Sequence, residues 1–171
     1  MNDIFEIIKT RRSIRKYKKE IPDEGLIKRC IEAACYAPSS KDSQPWAFVL
    51  VKDKEKIKEL SKTQPYSRFL EDAPYVIVAL ADENKSNHWL EDCSCAIVLL
   101  LLEAHSLGLG ACWNAVYHPE IGEREEYVRK VLNIDKRYRV IANIGLGYPE
   151  EKPLPKKVKS FEEAILKNVQ G

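Results

Sequence analysis

The segment Ala37-Pro38-Ser39-Ser40-Lys41-Asp42-Ser43-Gln44-Pro45-Trp46 decides how the chain is read. Between its two prolines there is no apolar residue, so it is a polar loop built from turn-forming side chains. Upstream, Leu26, Ile27, Cys30, Ile31, Ala34 and Cys35 recur at helical spacing behind Pro22, Asp23 and Glu24. That pattern predicts a helix stopped by Pro38. Downstream, Trp46-Ala47-Phe48-Val49-Leu50-Val51 is β-branched and aromatic, which predicts a buried strand. The loop therefore joins a helix to a core strand.

Further toward the N-terminus, Ile4, Phe5, Ile7 and Ile8 form one face of a short helix, followed by Arg11-Arg12-Ser13-Ile14-Arg15-Lys16. If the helix ends near Thr10 and the chain leaves extended, residues 11, 13 and 15 point the same way, because strand side chains alternate. Two guanidinium forks and a hydroxyl then converge, which suits phosphate oxygens. The alternative is that these cations only complement a helix C-terminus, worth about 0.3–1 kcal/mol.

Toward the C-terminus, residues 54–62 read as a surface helix with Ile57 and Leu60 inward, and 75–81 as a second strand. Residues 86–107 form the longest helix, ended by Gly108. Its middle is apolar all round, which predicts burial on every side and makes a subunit interface one explanation. An extended segment over 109–113, a helix over 123–132 and a strand over 139–146 follow. The tail 150–159 carries Pro153 and Pro155 and so runs extended, until Phe161, Ile165 and Leu166 form a last short helix. Helices alternating with strands predict an α/β or α+β class, with helices packed on a central sheet.

A chain of 171 residues with 44% apolar content most simply makes one domain. A net charge of +2 gives no reason to expect nucleic acid or an anionic membrane as partner. The longest apolar run, residues 96–102, is far short of the ~20 residues a membrane span needs. Five cysteines, and a start at Met1-Asn2-Asp3-Ile4 without a signal-peptide pattern, suit a reducing cytoplasm. Cys93 and Cys95 lie about 200° apart around a helix, and the three histidines form no ligand spacing, so no metal site is expected. Gly108-Leu109-Gly110 follows a helix rather than a strand and lacks a third glycine, which excludes a dinucleotide-binding fingerprint.

Taken together, Arg11-Arg12-Ser13-Ile14-Arg15, the segment 37–46, Leu107-Gly108-Leu109-Gly110 and Gly145-Leu146-Gly147-Tyr148-Pro149 resemble the FMN-dependent nitroreductase family in content and order. The resemblance implies an α+β, three-layer fold with a central mixed sheet flanked by helices. It implies one FMN-binding domain over 1–171, a homodimer with FMN at the subunit interface, and a tail over 150–171 exchanged with the partner. It implies an enzyme that uses NAD(P)H to reduce nitroaromatics, quinones or similar small acceptors by a ping-pong mechanism. A non-catalytic flavin binder, or a flavin-degrading or dehalogenating relative, is the alternative.

The same resemblance assigns the FMN phosphate to Arg11, Arg12, Ser13 and Arg15, joined by Lys157 or Lys156 of the tail, where no arginine is present. It assigns Pro38, Ser39, Ser40, Asp42 and Gln44 to flavin contacts made from the partner subunit, although a Pro-Ser-Ser turn also caps a helix with no ligand. It places Trp113, Asn114 and Ala115 along the reactive edge of the flavin, where a backbone N–H faces the ring. Two departures stand out. Position 42 is Asp instead of the usual Asn, and residues 113–116 lack a Glu-Gly pair found in larger members.

Overall fold

The computed structural model describes residues 3–167; Met1, Asn2 and the last four residues of the expected tail, 168–171, lie outside the described residues. Helices start where the sequence supplies caps. Asp3, Asp23 and Asp53 each accept a backbone N–H at the starts of α1 (Ile4–Thr10), α2 (Glu24–Cys35) and α3 (Lys54–Leu60). The long helix α4 (Trp89–Ser106) gives way to Gly108 at φ 76°, the left-handed turn that glycine adopts without strain. The remaining helices are α5 (Glu123–Leu132) and a single capped turn, α6 (Phe161–Ala164). That turn stops before Ile165 and Leu166, shorter than the sequence suggests.

Four strands, β1 (Trp46–Val51), β2 (Tyr75–Asp82), β3 (Gly110–Ala115) and β4 (Tyr138–Gly147), form one sheet in the order β1-β2-β4-β3. Every pairing of these strands is antiparallel, and the parallel component is confined to a bridge between Ser13 and Ala111. β2 is buried on both faces, which explains its unbroken apolar run. Ile77, Ala79 and Ala81 face a layer made by α2 and α4, while Val76, Val78 and Leu80 face Ile57, Leu60 and Val128 of α3 and α5.

A 3-10 helix over Pro65–Asp72 lies on the second face, where the sequence reading placed no element. α4 buries one side only: Ala96, Ile97, Leu100 and Ala104 are inside, whereas Cys95 and Val98 are open. The all-round burial expected of this helix is therefore not completed within one chain.

The segment after α1 is strapped across the end of the β3–β4 ladder. Ile14 N–H donates to Ala111 O (3.0 Å), and Lys18 N–H donates to Tyr148 O (2.9 Å). The close approach needs glycines, since a Cβ on Gly110 would lie 2.7 Å from Ile14, and one on Gly147 2.6 Å from Pro74 and 2.9 Å from Tyr17. The Tyr17 hydroxyl, buried, donates toward Ile14 O (2.7 Å) and Gly145 O (3.1 Å). Replacing it by Phe leaves those carbonyls without that donor and is expected to cost about 1 kcal/mol. For a chain of this size that is a fall of about 2–4 °C in Tm. Thermal denaturation checks it, and an unchanged Tm would show that the strap does not depend on this hydroxyl.

Candidate functional site

The chain leaves α1 extended at Arg11, and Ser13 bridges to Ala111. Arg11, Ser13 and Arg15 all act on Cys112 at the start of β3. Burial pushes the Cys112 thiol up, opposed by Arg15, by the adjacent Ser13 hydroxyl and by Arg11. Arg15 also lies over the Phe69 ring, with Cζ 5.9 Å from the centroid. The same field reaches His105, whose basicity is lowered by partial burial and then by Arg11 and Arg12. Among the described residues no carboxylate pairs with the guanidinium of Arg11, Arg12 or Arg15. Two free guanidiniums and a hydroxyl on one face make a cradle with the chemistry for a phosphate.

Arg12 departs from that face. Its Nη1 donates to Lys9 O (2.9 Å) and Arg11 O (2.8 Å), and its Nε to Leu154 O (3.2 Å) of the tail. The alternation that aligns Arg11, Ser13 and Arg15 turns Arg12 the other way, where it clips the tail. Beyond that clip, the tail and α1 enclose a cleft of about 830 Å³ lined by Phe5, Ile8, Arg12, Pro155, Lys156 and Val158 among others. Lys156 lines this cleft, and Lys157 is exposed.

The loop between α2 and β1 is held in a particular shape. Lys41, Asp42 and Gln44 all have positive φ (52°, 52° and 44°), an uncommon backbone state for residues other than glycine. Ser39 Oγ accepts from Gln44 N–H (3.0 Å), and Gln44 Nε2 donates to Asp42 Oδ1 (2.9 Å). Asp42 thus pairs with Gln44 of its own loop. Ser40 N–H donates to Asp92 Oδ1 (3.0 Å), while Ser86 Oγ donates to Asp92 Oδ2 (2.7 Å).

Asp92 is buried on α4 and was missed in the sequence reading. The signal was present: Asp92 stands four residues before Ala96, on the stripe continued by Leu100 and Ala104. Pro38, Lys41, Asp42 and Gln44 are exposed, and Ser39 and Ser40 are half-buried.

β3 is an edge strand, so alternate backbone groups point away from β4. Ala111 O accepts from Ile14 N–H, and Ala115 O accepts from the Gln64 amide (2.8 Å). By the two-residue period, the N–H and C=O of Trp113 lie between them on that edge, where the C=O accepts from Cys112 Sγ (3.7 Å) and the N–H is open. The Trp113 side chain packs on the α2–α4 layer. Asn114 points to the other face, buried, and accepts from Ser67 Oγ (2.8 Å) through its side-chain oxygen. Its amide therefore serves the packing of the 3-10 helix, a tie that no sequence pattern announces.

The cradle and the loop stand at diagonal corners of the sheet. The loop enters β1 at Trp46, level with Ala81 and Arg139, whereas the cradle lies at Ala111, level with Leu146. Three strand spacings and about seven residues separate them, or about 14 Å across and about 23 Å along.

An α+β fold of this layering carries these basic and hydroxyl groups at one end of an edge strand, donors of the kind that suit a phosphate. The Nitroreductase family model matches residues 8–65 and 59–148, and the chain belongs to that family. It is 42% identical over 155 residues to a protein of Methanothermobacter thermautotrophicus assigned as an NADH dehydrogenase/NAD(P)H nitroreductase, covering 88% of this chain and 80% of that protein. Among solved structures, a protein of the same assignment from Parabacteroides distasonis superposes with a TM-score of 0.92 at 37% identity, over 99% of this chain and 100% of the other. An FMN-dependent nitroreductase from Clostridium difficile R20291 superposes with a TM-score of 0.87 at 36% identity, over 96% and 99%.

Proposed function

We propose that this protein is an FMN-dependent NAD(P)H oxidoreductase that works as a homodimer in the cytoplasm, with residues 1–171 forming one flavin-binding domain. The observation that carries the reading is the set Arg11, Ser13 and Arg15, whose guanidiniums have no carboxylate partner among the described residues, beside the open N–H of Trp113. That donor set fits a phosphate at one end and a flat polar heterocycle along the strand edge. FMN held there would supply the two-electron chemistry for reduction of a nitroaromatic, a quinone or a similar small acceptor by NAD(P)H, in a ping-pong exchange.

The residues of the chain bind and orient. Arg11, Ser13 and Arg15 hold the phosphate, with Lys157 or Lys156 from a tail completing the charge. The Trp113 N–H offers a fixed donor to the ring edge, and Ala115 continues that edge. Asn114 and Arg12 support from behind, one through Ser67 and one through the tail. Pro38, Ser39, Ser40, Asp42 and Gln44 reach the flavin from the second copy.

The diagonal separation supports that division, since one mononucleotide does not span both corners of a single chain. Surface area supports it as well: a compact monomer of this size exposes about 8,600 Å², whereas this chain exposes 11089 Å². The excess resides partly in exposed apolar residues of α1 and the tail, among them Phe5, Leu154, Val158 and Phe161. Among the described residues no helix is long and apolar enough to cross a membrane. All five cysteines are free, which supports a reducing compartment.

The test is anaerobic addition of NADH or NADPH to the purified yellow protein. Bleaching of the flavin absorbance within seconds is expected, followed by recovery when a nitroaromatic or quinone is added. A yellow protein that never bleaches would reduce the reading to flavin binding alone.

Asp42 gives a second check. The family resemblance sets Asp42 at the pyrimidine edge of the flavin, where a carboxylate charge would oppose electron uptake and lower the midpoint potential of bound FMN. A penalty of 1.4 kcal/mol is about 30 mV for a two-electron couple. Asp42→Asn is expected to raise the potential by some tens of millivolts on that conversion. Equilibrium dye titration measures it, and an unmoved or lower potential rejects the electrostatic role.

A further inference from the structure

The tail begins with a carboxylate in a place where an anion site should least tolerate one. Glu151 Oε1 accepts from the backbone N–H of Arg15 (2.5 Å) and of Lys16 (3.1 Å), residues more than 130 positions away. Around it the two segments are laced together: Glu150 N–H donates to Lys16 O (3.0 Å), and Tyr17 bridges to Pro149. Yet Glu151 makes no ion pair with any guanidinium among the described residues, so Arg11 and Arg15 stay free.

A negative charge at this position repels a phosphate held by Arg11, Ser13 and Arg15. What it supplies in return is geometric. Two consecutive amides donating to one oxygen fix the backbone from which the Arg15 side chain leaves. That side chain is then directed over Phe69 and toward Cys112, on the face shared with Ser13.

We infer that Glu151 is a positioning residue of the phosphate cradle, holding the Arg15–Lys16 backbone so that the Arg15 guanidinium faces the phosphate with Arg11 and Ser13. The inference rests on the reading of that cradle as the FMN phosphate site. It assigns Glu151 two opposed effects, an acceptor that organises and a charge that repels, and these separate by substitution. Glutamine keeps an oxygen that accepts both N–H groups but removes the charge. Alanine removes both.

The experiment measures dissociation constants for FMN and for riboflavin, which lacks the phosphate, in the full-length wild type, Glu151→Gln and Glu151→Ala. The wild type is expected to prefer FMN strongly. Glu151→Ala is expected to bind FMN about tenfold more weakly, with riboflavin binding unmoved. Glu151→Gln is expected to bind FMN at least as tightly as the wild type. If both variants bind FMN equally and more tightly than the wild type, the carboxylate only repels, and the positioning role is overturned. Parallel weakening of both ligands by Glu151→Ala overturns it in favour of a general structural tie. If the alanine variant does not fold, the glutamine variant decides alone, and a tenfold loss of FMN affinity there overturns the inference. A wild type that binds FMN and riboflavin alike overturns the cradle itself, and the inference with it.

Discussion

A chain ending at Glu151 is expected to purify as a colourless monomer. The truncation keeps all four strands, both helical layers and the Glu151 contact to the cradle, so the body still folds. What it removes is Leu154, Val158, Phe161, Ile165 and Leu166, all exposed on the chain that carries them. Full burial of such side chains against a partner is worth about 1.5–3 kcal/mol each. Loss of five of them removes more free energy than a typical interface has to spare. Lys156 and Lys157 go with them, which weakens the phosphate site directly. Light scattering and the flavin absorbance of the purified protein test both consequences together. A truncated protein that remains a yellow dimer would show that α1 and the open face of α4 are sufficient.

Arg15→Ala and Arg11→Ala are expected to raise the dissociation constant of FMN by about 10–150-fold each. Each removes a charge-assisted hydrogen bond worth about 1.5–3 kcal/mol, and each converts to that range at 1.4 kcal/mol per factor of ten. Arg12→Ala is expected to do less to FMN, because its donors are engaged by Lys9 O, Arg11 O and Leu154 O. All three variants stay folded, since none of these side chains is buried. Flavin fluorescence titration orders them. Equal losses at positions 11, 12 and 15 would show that alternation does not govern the cradle.

The difference between Arg12 and its neighbours marks how far the sequence could be read. Alternation predicts that 11, 13 and 15 share a face once the chain is extended, a rule that needs only neighbouring residues. The partner of Arg12, Leu154 O, is 142 residues away, and no local rule reaches it. β2 was legible because both its faces are apolar, and the start of α2 because Pro22, Asp23 and Glu24 open it. The order β1-β2-β4-β3 was not, since it depends on pairings between distant segments. The 3-10 helix over Pro65–Asp72 was invisible for another reason. It buries only Ser67 and Leu70 and is held by side chains of Gln64 and Ser67 reaching β3. Asp92 was readable in principle, as an acid on the α4 core stripe, whereas the Glu151 contact left no mark in its own segment.

The central claim is that one flavin site combines the cradle of one copy with the 38–44 loop of another, and a mixed dimer tests it most directly. One parent carries Arg11→Ala with Arg15→Ala, and the other carries Ser39→Trp, which removes the acceptor for Gln44 N–H and fills the loop contact. Neither parent is expected to retain FMN through gel filtration. The mixed dimer contains one doubly broken site and one with an intact cradle facing an intact loop. It is therefore expected to retain one FMN per dimer. A mixed dimer as colourless as its parents would place cradle and loop in the same chain's site and contradict the account.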